Sequence, residues 1–324
     1  MTPPSGLLLV TKPIGPTSHD VVGRARYVLG TKKVGHAGTL DPMASGLLIL
    51  GIERGTKLLG HLALKDKSYL ATIRLGQSTT TEDAEGEFTA SVDASAVTRD
   101  QVLAGMAALT GDIQQVPSSV SAIKVDGVRS YDRVRSGEEV VLAARPVTIT
   151  AFELLDQRAG EQIVDLDVRV DCTTGTYIRA LARDLGAALG VGAHLTALRR
   201  TRIGPFSIED AVDIYAPDGP PVRPGHAEPS VPRAQRPPRP PRPAIDPELR
   251  EEMYRRIQPA AEVAREAFEV RDLTPAESAE VGYGRPIPPR GVTGTYALME
   301  ADRLVALAVD TQNRAKPVLV WGDH

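Results

Sequence analysis

The alternation of apolar and polar residues predicts the strands of this chain. The clearest case is 163–172, where every second residue is apolar or Cys and those between are charged from Asp165 onward. A period of two places the apolar residues on one face of a half-buried strand. The segments 67–76 and 193–206 are also predicted as strands. Short apolar runs at 7–10 and 47–50, each close to Gly or Pro, are typical of buried strands.

Apolar residues spaced three and four apart predict helices. These helices cover about residues 20–29, 54–64, 98–111, 175–190 and 246–268. The third opens with a capping box, in which Thr98 and Gln101 satisfy each other's backbone N–H groups. Strands and helices follow one another without the rhythm of βαβ units. The pattern therefore predicts an α+β fold on a mixed, largely antiparallel sheet.

The composition changes sharply between Pro217 and Ala244. These 28 residues include eleven prolines, five arginines and no aromatic residue. Such a segment buries too little apolar surface to offset its chain entropy, which predicts an extended linker that tethers the C-terminal residues. We expect one large domain over 1–216, the linker over 217–244, and a small, β-rich C-terminal domain over 245–324 that opens with a helix. Within the first domain, the irregular stretch 113–137 is long enough to suggest a function.

Cysteine content and hydropathy predict the compartment. Cys172 is the one cysteine, so an intramolecular disulfide is impossible and a reducing, cytoplasmic setting is expected. The alternating strand pattern explains this thiol as a buried core residue. The chain has no apolar run of membrane-spanning length, and its first residues lack the charged region of a secretion signal. We therefore expect a cytoplasmic protein without a membrane partner.

The distribution of charge is uneven, although the net charge is only −3. Residues 1–60 carry seven Lys or Arg against three Asp or Glu, and residues 169–204 carry six against two. Residues 246–280 reverse this balance, with five against ten. A basic face for a polyanion could therefore coexist with an acidic tail. Ordinary solvated faces explain the counts equally well.

The segment 34–50, VGHAGTLDPMASGLLIL, concentrates unusual residues directly before an apolar strand. Gly, Asp and Pro favour turns, so Asp41 is held on a stiff loop at the edge of the core. Such a loop can fix a nucleophile or a base in position. An Asp that precedes Pro is more commonly a simple turn residue, and the residues alone favour that interpretation.

The segment GHAGTLDPMASGLL at 35–48 resembles the catalytic signature of the TruB family of pseudouridine synthases. Companion motifs come in the family's order: KSY at 67–69, GTYIR at 175–179 and AHLTALRR at 193–200. The resemblance covers about residues 5–215. It implies the pseudouridine synthase fold and isomerisation of uridine 55 in the T loop of tRNA, with no metal or other cofactor. Residues 113–137 resemble the family insertion that contacts RNA, and the C-terminal domain resembles an RNA-binding module of PUA type.

The resemblance also implies three catalytic residues. Asp41 matches the nucleophile that attacks the target nucleoside, and Arg179 matches the arginine that keeps this carboxylate ionised. Tyr69 matches the tyrosine that lies against the target base. Without the resemblance, Arg179 would be expected to pair with Asp184 at the surface, and Tyr69 would be an ordinary core residue.

Six further residues match substrate-binding positions of the family. His36 would insert into the RNA loop and help to extrude the base, at a cost of a few kcal/mol of unstacking. Leu198 would close the pocket beside the uracil, and Asp83 would contact the nucleic acid or the pocket rim. The other three are motif residues that surround or support the site: Gly38, Tyr177 and Lys12.

Two other classes of function compete with this interpretation. A non-catalytic RNA-binding or tRNA-folding protein could use the same fold, but it would not need Asp41, Tyr69 and Arg179 together. A glycosidase also attacks an anomeric carbon with a carboxylate, yet it usually needs a second carboxyl as general acid. No partnered carboxylate is evident around the motif. The resemblance implies the T arm of tRNA as the partner, and a monomer is the default state.

Overall fold

A computed structural model describes residues 2–118, 124–125, 128–129, 142–215 and 245–322, with backbone only at 124–125 and 128–129. The predicted linker at 217–244 lies outside these residues, as does most of the predicted RNA-contacting stretch at 113–137. Within the described part, no helix is long and apolar enough to cross a membrane.

Eighteen strands are present in the described residues. In chain order they are β1 (Gly6–Lys12), β2 (Val34–Ala37), β3 (Ser45–Ile52), β4 (Lys67–Leu75), β5 (Gln77–Thr79), β6 (Phe88–Ser91), β7 (Gly111–Gln115), β8 (Lys124–Val125), β9 (Val128–Arg129), β10 (Arg145–Ala159), β11 (Val164–Cys172), β12 (Ala193–Ile203), β13 (Phe206–Ser207), β14 (Gln258–Pro259), β15 (Val270–Asp272), β16 (Thr295–Glu300), β17 (Arg303–Thr311) and β18 (Arg314–Val320).

Seven α-helices accompany these strands in the same described residues. They are α1 (Ser18–Leu29), α2 (Leu59–Leu62), α3 (Arg99–Ala108), α4 (Ile178–Ala188), α5 (Pro247–Arg256), α6 (Ala260–Ala267) and α7 (Pro275–Gly282). Two 3₁₀ segments add to them, Glu53–Leu58 and Ile208–Asp210. The predicted α+β class is confirmed.

The contacts divide the chain into two compact units, and the second contains Asp41–Leu47 and Leu64–Ile203. Its sheet has the order β12-β4-β11-β10-β7, with antiparallel neighbours throughout. The first residues of β3 pair with β12 in parallel. The sheet is therefore mixed but largely antiparallel, as the pattern predicts. The alternating residues of β11 are buried as expected, and Cys172 is 1% exposed.

The first unit contains Met1–Leu40, Leu48–Ala63 and Gly204–His324. In its sheet, β1 lies between β14 and β3. Helix α1 begins at a capping box formed by Thr17 and Asp20, and it buries its apolar side against β1 and β3. Near the C-terminus, β15-β16-β17-β18 form a four-stranded sheet that packs with α7. The β-rich character expected for this segment is therefore present.

Two predicted helices differ from the structure. The segment 54–64 is a 3₁₀ turn followed by the four-residue α2 rather than one helix. The segment 246–268 is two helices, α5 and α6, separated by the short strand β14. Proline explains the second break, because Pro259 has no N–H to continue a helix and disfavours helical geometry before it.

Helix α5 packs on the core of the first unit. Leu249 and Met253 are buried in the same cluster as α1 and β1, and Arg250 Nε donates a hydrogen bond of 2.7 Å to the carbonyl of Val28. The sequence interpretation instead grouped this helix with a tethered C-terminal domain. The structure therefore corrects the placement of α5, and the remaining domain boundaries stay predictions.

Candidate active site

Asp41 lies on the loop that precedes β3. The loop turns at this residue, because the N–H of Ala44 donates to the carbonyl of Asp41 at 3.1 Å. Its side chain is 38% exposed, so one edge of the carboxylate remains open to a ligand. A stiff loop therefore presents a reachable carboxylate, as the residue pattern predicts.

Gly46 fixes the end of this loop against β12. It has φ +112°, and a Cβ built there would lie 2.2 Å from the carbonyl oxygen of Arg200. A side chain would need both an unfavourable backbone conformation and a displacement of β12. Glycine at this position thus allows the loop that carries Asp41 to lead into β3 in direct contact with the strand that carries Leu198 and Arg200.

Arg179 joins two carboxylates at the centre of the second unit. Its guanidinium is 6% exposed, and Nη2 lies 3.0 Å from Asp41 Oδ2. Nη1 lies 3.4 Å from Asp83 Oδ2 and donates to the carbonyl of Thr81 at 3.0 Å. A planar guanidinium suits this task because its separated donors reach two acids at once. The pair with Asp41 is the one that the resemblance implies.

The alternative pairing of Arg179 with Asp184 is not what the structure shows. Asp184 accepts a hydrogen bond of 2.8 Å from Arg183 Nε instead. Arg183 also lies 2.7 Å from Glu82. These contacts involve half-buried side chains of α4 and Glu82, whereas Arg179 lies on the buried side of the helix.

The structure corrects the expected position of Asp83 at the pocket rim. Its side chain is only 3% exposed, and its Oδ1 accepts hydrogen bonds from the hydroxyl of Thr81 and, at 3.0 Å, from the N–H of Glu85. A buried acid of this kind cannot contact RNA directly. Burial favours close pairing with a cation, and Arg179 supplies that cation.

Tyr69 lies on β4, directly opposite Arg200 on β12. Its side chain is largely buried, at 8% exposure. Burial raises the pKa of the Tyr69 phenol and the charge of Asp41 acts in the same direction, whereas Arg200, which hydrogen-bonds the phenol, opposes them. The raised pKa keeps the hydroxyl protonated at neutral pH.

Sequence analysis did not identify Arg200 as a site residue. This side chain is 1% exposed, and its Nε donates a hydrogen bond of 2.9 Å to the carbonyl of Leu47, just after the loop that carries Asp41. It therefore links that loop to Tyr69. The motif AHLTALRR contains it, and the period of two places Arg200 on the same strand face as the inward Leu198, which is the signal that could have identified it.

Lys67 is a second buried cation on the same strand as Tyr69. Burial, assisted by the nearby Arg200, lowers the pKa of Lys67 to about 8. Its Nζ donates a hydrogen bond of 2.6 Å to the carbonyl of Lys65. Cys172 stands opposite Lys67 in β11, and burial raises the pKa of this thiol to about 11. The thiol is therefore unreactive at neutral pH, which agrees with the expected core role.

Two other predicted residues lie in the second unit. Leu198 faces inward from β12 at 8% exposure, opposite Ala71 in the sheet. Tyr177 precedes the first residue of α4, and its backbone N–H and carbonyl are both bonded to the side chain of Gln115. The structure thus brings Asp41 and Asp83 into contact with Arg179, and Tyr177 lies two residues before Arg179 in the chain.

The remaining three predicted residues lie in the first unit. His36 is half-buried on β2 opposite Leu50, and Gly38 adopts the left-handed region at φ +76°. Lys12 is 0% exposed, and its Nζ donates to the carbonyl of Pro13 at 2.9 Å. A buried ammonium bonded to the backbone can only support a site from within, which is the supporting role expected of this motif, and the role of Lys12 in substrate binding stays a prediction.

Most arginines of the basic segment 169–204 have acidic partners. Arg169 pairs with Glu153 at 2.8 Å, and Arg202 pairs with Asp66 at 2.8 Å. Arg179 and Arg183 pair with the acids beside α4. Among the described residues, no group of three His, Cys, Asp or Glu side chains is arranged to hold a metal ion.

Comparisons with known proteins cover nearly the whole chain. Residues 26–178 match the TruB family pseudouridylate synthase N-terminal domain, 179–216 match the tRNA pseudouridylate synthase B C-terminal domain, and 268–322 match the tRNA pseudouridine synthase II C-terminal domain.

Individual relatives extend this similarity. The tRNA pseudouridine synthase B of Nocardia farcinica is 51% identical over 98% of this chain and 94% of its own. The protein of the same name from Mycobacterium ulcerans is 50% identical over 97% and 94%. Among solved structures, a chain from a crystal structure of a Cbf5-Nop10-Gar1 complex superimposes with a TM-score of 0.67 and 26% identity, over 98% of this chain and 84% of that one.

Proposed function

Because the chain belongs to the TruB family of pseudouridine synthases, we propose that it isomerises uridine to pseudouridine at position 55 in the T loop of tRNA. The relatives that match nearly the full chain carry the name tRNA pseudouridine synthase B. The observation that carries the proposal is the arrangement of Asp41. A reachable carboxylate is held by the buried Arg179, which is itself backed by Asp83.

The reaction needs a nucleophile rather than an oxidant. The bond between uracil N1 and ribose C1′ breaks, the base turns, and C5 bonds to C1′ instead. C5 loses its hydrogen as a proton and N1 gains one, so the product has the mass of the substrate. Asp41 attacks the target nucleoside while Arg179, at a distance of 3.0 Å, orients the carboxylate.

Tyr69 acts in this scheme as a neutral hydroxyl. Since burial raises the pKa of its phenol, the group enters the reaction protonated and lies against the base. Arg200 holds the hydroxyl from the adjacent strand. A proton at the ribose or the base can pass through this hydroxyl once the nucleoside is bound. Leu198 supplies an apolar wall for the uracil.

RNA recognition uses residues outside this centre. His36 inserts into the T loop and helps to extrude the uridine. Gly38 and Tyr177 also serve in substrate binding, each within its own unit. Residues 268–322 serve as an RNA-binding module of PUA type. The enzyme acts in the cytoplasm as a monomer, with the T arm as its partner. It needs no redox cofactor, because the isomerisation is balanced without an oxidant or reductant, and the family resemblance implies no metal.

The decisive test is incubation with an unmodified tRNA transcript, followed by pseudouridine mapping. We expect one new pseudouridine at position 55. Asp41→Asn should abolish it while tRNA affinity stays within about twofold, because one charge is small beside the whole phosphate footprint. Asp93→Asn is the matched control, since Asp93 is exposed and lies outside the site.

The outcomes separate the competing functions. Substantial turnover by Asp41→Asn would refute the nucleophile assignment. Loss of a uracil mass from the RNA would indicate a glycosidase. Binding without conversion by the unsubstituted protein would indicate a non-catalytic RNA-binding protein.

A further inference from the structure

The position of Arg179 depends on where α4 begins. The helix runs from Ile178 to Ala188, so Arg179 is its second residue and lies in the first turn. Any shift in the start of the helix moves the guanidinium by a similar amount. Contacts at the first turn therefore control the distance between Arg179 and Asp41.

The start of α4 has no conventional cap. The N-cap residue is Tyr177, and its own side chain makes no capping hydrogen bond. Gly175, two residues earlier, has φ +90°, so the chain enters the helix through a turn that only glycine adopts easily. Helix ends without a side-chain cap fray readily unless another group satisfies the first N–H groups.

Gln115 supplies the missing cap from another strand. Its Oε1 accepts from the N–H of Tyr177 at 2.8 Å, and its Nε2 donates to the carbonyl of Tyr177 at 3.1 Å. The side-chain amide of Gln115 thus hydrogen-bonds both the N–H and the carbonyl of Tyr177. Gln115 is the last residue of β7 and is 1% exposed. Water therefore cannot readily replace either hydrogen bond.

A third contact restrains the same helix one turn further on. Arg183 Nη2 donates a hydrogen bond of 2.8 Å to the carbonyl of Val116, which is the next residue after Gln115. Residues 115–116 are thus attached to α4 at two successive turns. Attachment at two turns limits tilting of the helix as well as sliding.

We propose that Gln115 is a positioning residue for the isomerisation: it sets the start of α4 so that Arg179 reaches Asp41. This inference rests on the proposed function. Gln115 touches neither the RNA nor the reacting atoms in this role. It acts through the backbone of Tyr177 and the helix that begins there.

The two carboxylates beside Arg179 determine how the loss of the Gln115 side chain would change the reaction rate and the RNA affinity. Asp83 is 3% exposed and Asp41 is 38% exposed. Water can solvate Asp41 but not Asp83. A displaced Arg179 guanidinium should therefore keep its contact with Asp83 and lose its contact with Asp41. The reaction rate should fall while RNA affinity is preserved. Displacements near 1 Å at a reacting centre can reduce a rate about a hundredfold.

The experiment uses the full-length protein and three variants. Gln115→Met keeps the length of the side chain and removes both hydrogen bonds. Gln115→Glu keeps an acceptor for the N–H of Tyr177 and loses the donor to the carbonyl of Tyr177. A carboxylate is electrostatically favourable near the start of a helix. Gln157→Met is the matched control, because Gln157 is half-buried on β10 and its Oε1 accepts no hydrogen bond from the described part of the chain.

The readout is single-turnover release of tritium from tRNA labelled at uracil C5, measured at saturating enzyme. Rates are normalised to the folded fraction from thermal unfolding, and the Kd for tRNA is measured separately. We expect Gln115→Met to lower the saturated rate about tenfold or more and to change Kd less than twofold. Gln115→Glu should fall between Gln115→Met and the unsubstituted protein, and Gln157→Met should match the latter.

Three results would overturn the inference. The first is a normalised rate for folded Gln115→Met within twofold of the unsubstituted protein. The second is a loss confined to Kd, and the third is an equal loss in Gln157→Met. If Gln115→Met does not fold, an unimpaired rate in Gln115→Glu refutes the role by itself. An unsubstituted protein that releases no tritium would instead refute the proposed function, and this inference would fall with it.

Discussion

Removal of Arg179 should destabilise the protein through Asp83 rather than through Asp41. Asp41 is 38% exposed and can be solvated when its partner is lost, whereas Asp83 is 3% exposed and cannot. Breaking a buried ion pair by deleting one partner costs about 3–5 kcal/mol, because an uncompensated charge remains. The hydroxyl of Thr81 and the N–H of Glu85 still serve Asp83, so the loss in Arg179→Met should lie near the lower end, at about 3 kcal/mol.

Urea unfolding of Arg179→Met measures this loss, and Arg169→Met is the control. Arg169 and its partner Glu153 are about half exposed, so that substitution should cost about 1 kcal/mol or less. The double variant Arg179→Met with Asp83→Asn removes the orphaned charge as well. It should recover about 1–3 kcal/mol relative to Arg179→Met without regaining activity.

Two outcomes would refute this reasoning. Equal losses in Arg179→Met and Arg169→Met would mean that the burial of Asp83 carries no energetic weight. A double variant no more stable than Arg179→Met would mean that the orphaned carboxylate is not the cause of the loss.

Three further predictions concern single side chains. Tyr69→Phe keeps the ring and removes the hydroxyl, so it should leave tRNA affinity unchanged and lower the single-turnover rate; a normal rate would restrict Tyr69 to stacking. Burial lowers the pKa of Lys67 from 10.5 to about 8, so its charge costs stability below pH 8 and that cost fades as the pH rises toward 10.5. Lys67→Met should therefore stabilise the protein more at pH 7 than at pH 10 in urea titrations, and a constant difference would contradict this. Met253→Ala on α5 should lower the free energy of unfolding by about 2–5 kcal/mol, since the side chain is 1% exposed; a negligible loss would restore the picture of a tethered segment.

Periodicity predicted the strands well because burial on one face leaves a mark at every second residue. The alternation at 163–172 predicts β11 almost to its ends. The helical periodicity at 246–268 predicted the structure less well, because Pro259 divides this continuous pattern into α5 and α6. Local patterns record which side of an element is buried, but not what buries it.

The centre of the site could be predicted only in part. The motifs identified Asp41 and Arg179, and the structure places them in contact. The burial of Asp83 and the roles of Gln115 and Arg200 could not be read from the sequence. Gln115 bonds a residue 62 positions away, and Arg200 bonds one 153 positions away. Contacts of that separation leave no periodic signal near either residue.

The ion pairs of the segment 169–204 change how this protein can hold a polyanion. Six phosphate contacts from its six basic residues would release about five counterions. Four of those arginines are already neutralised by neighbouring acids, and Arg200 is buried. Arg199, which is exposed on β12, is the one basic residue of this segment that is neither buried nor ion-paired within the described part of the chain. While these ion pairs persist, this segment contributes about one released counterion, and most contacts with the RNA backbone would come from other basic residues.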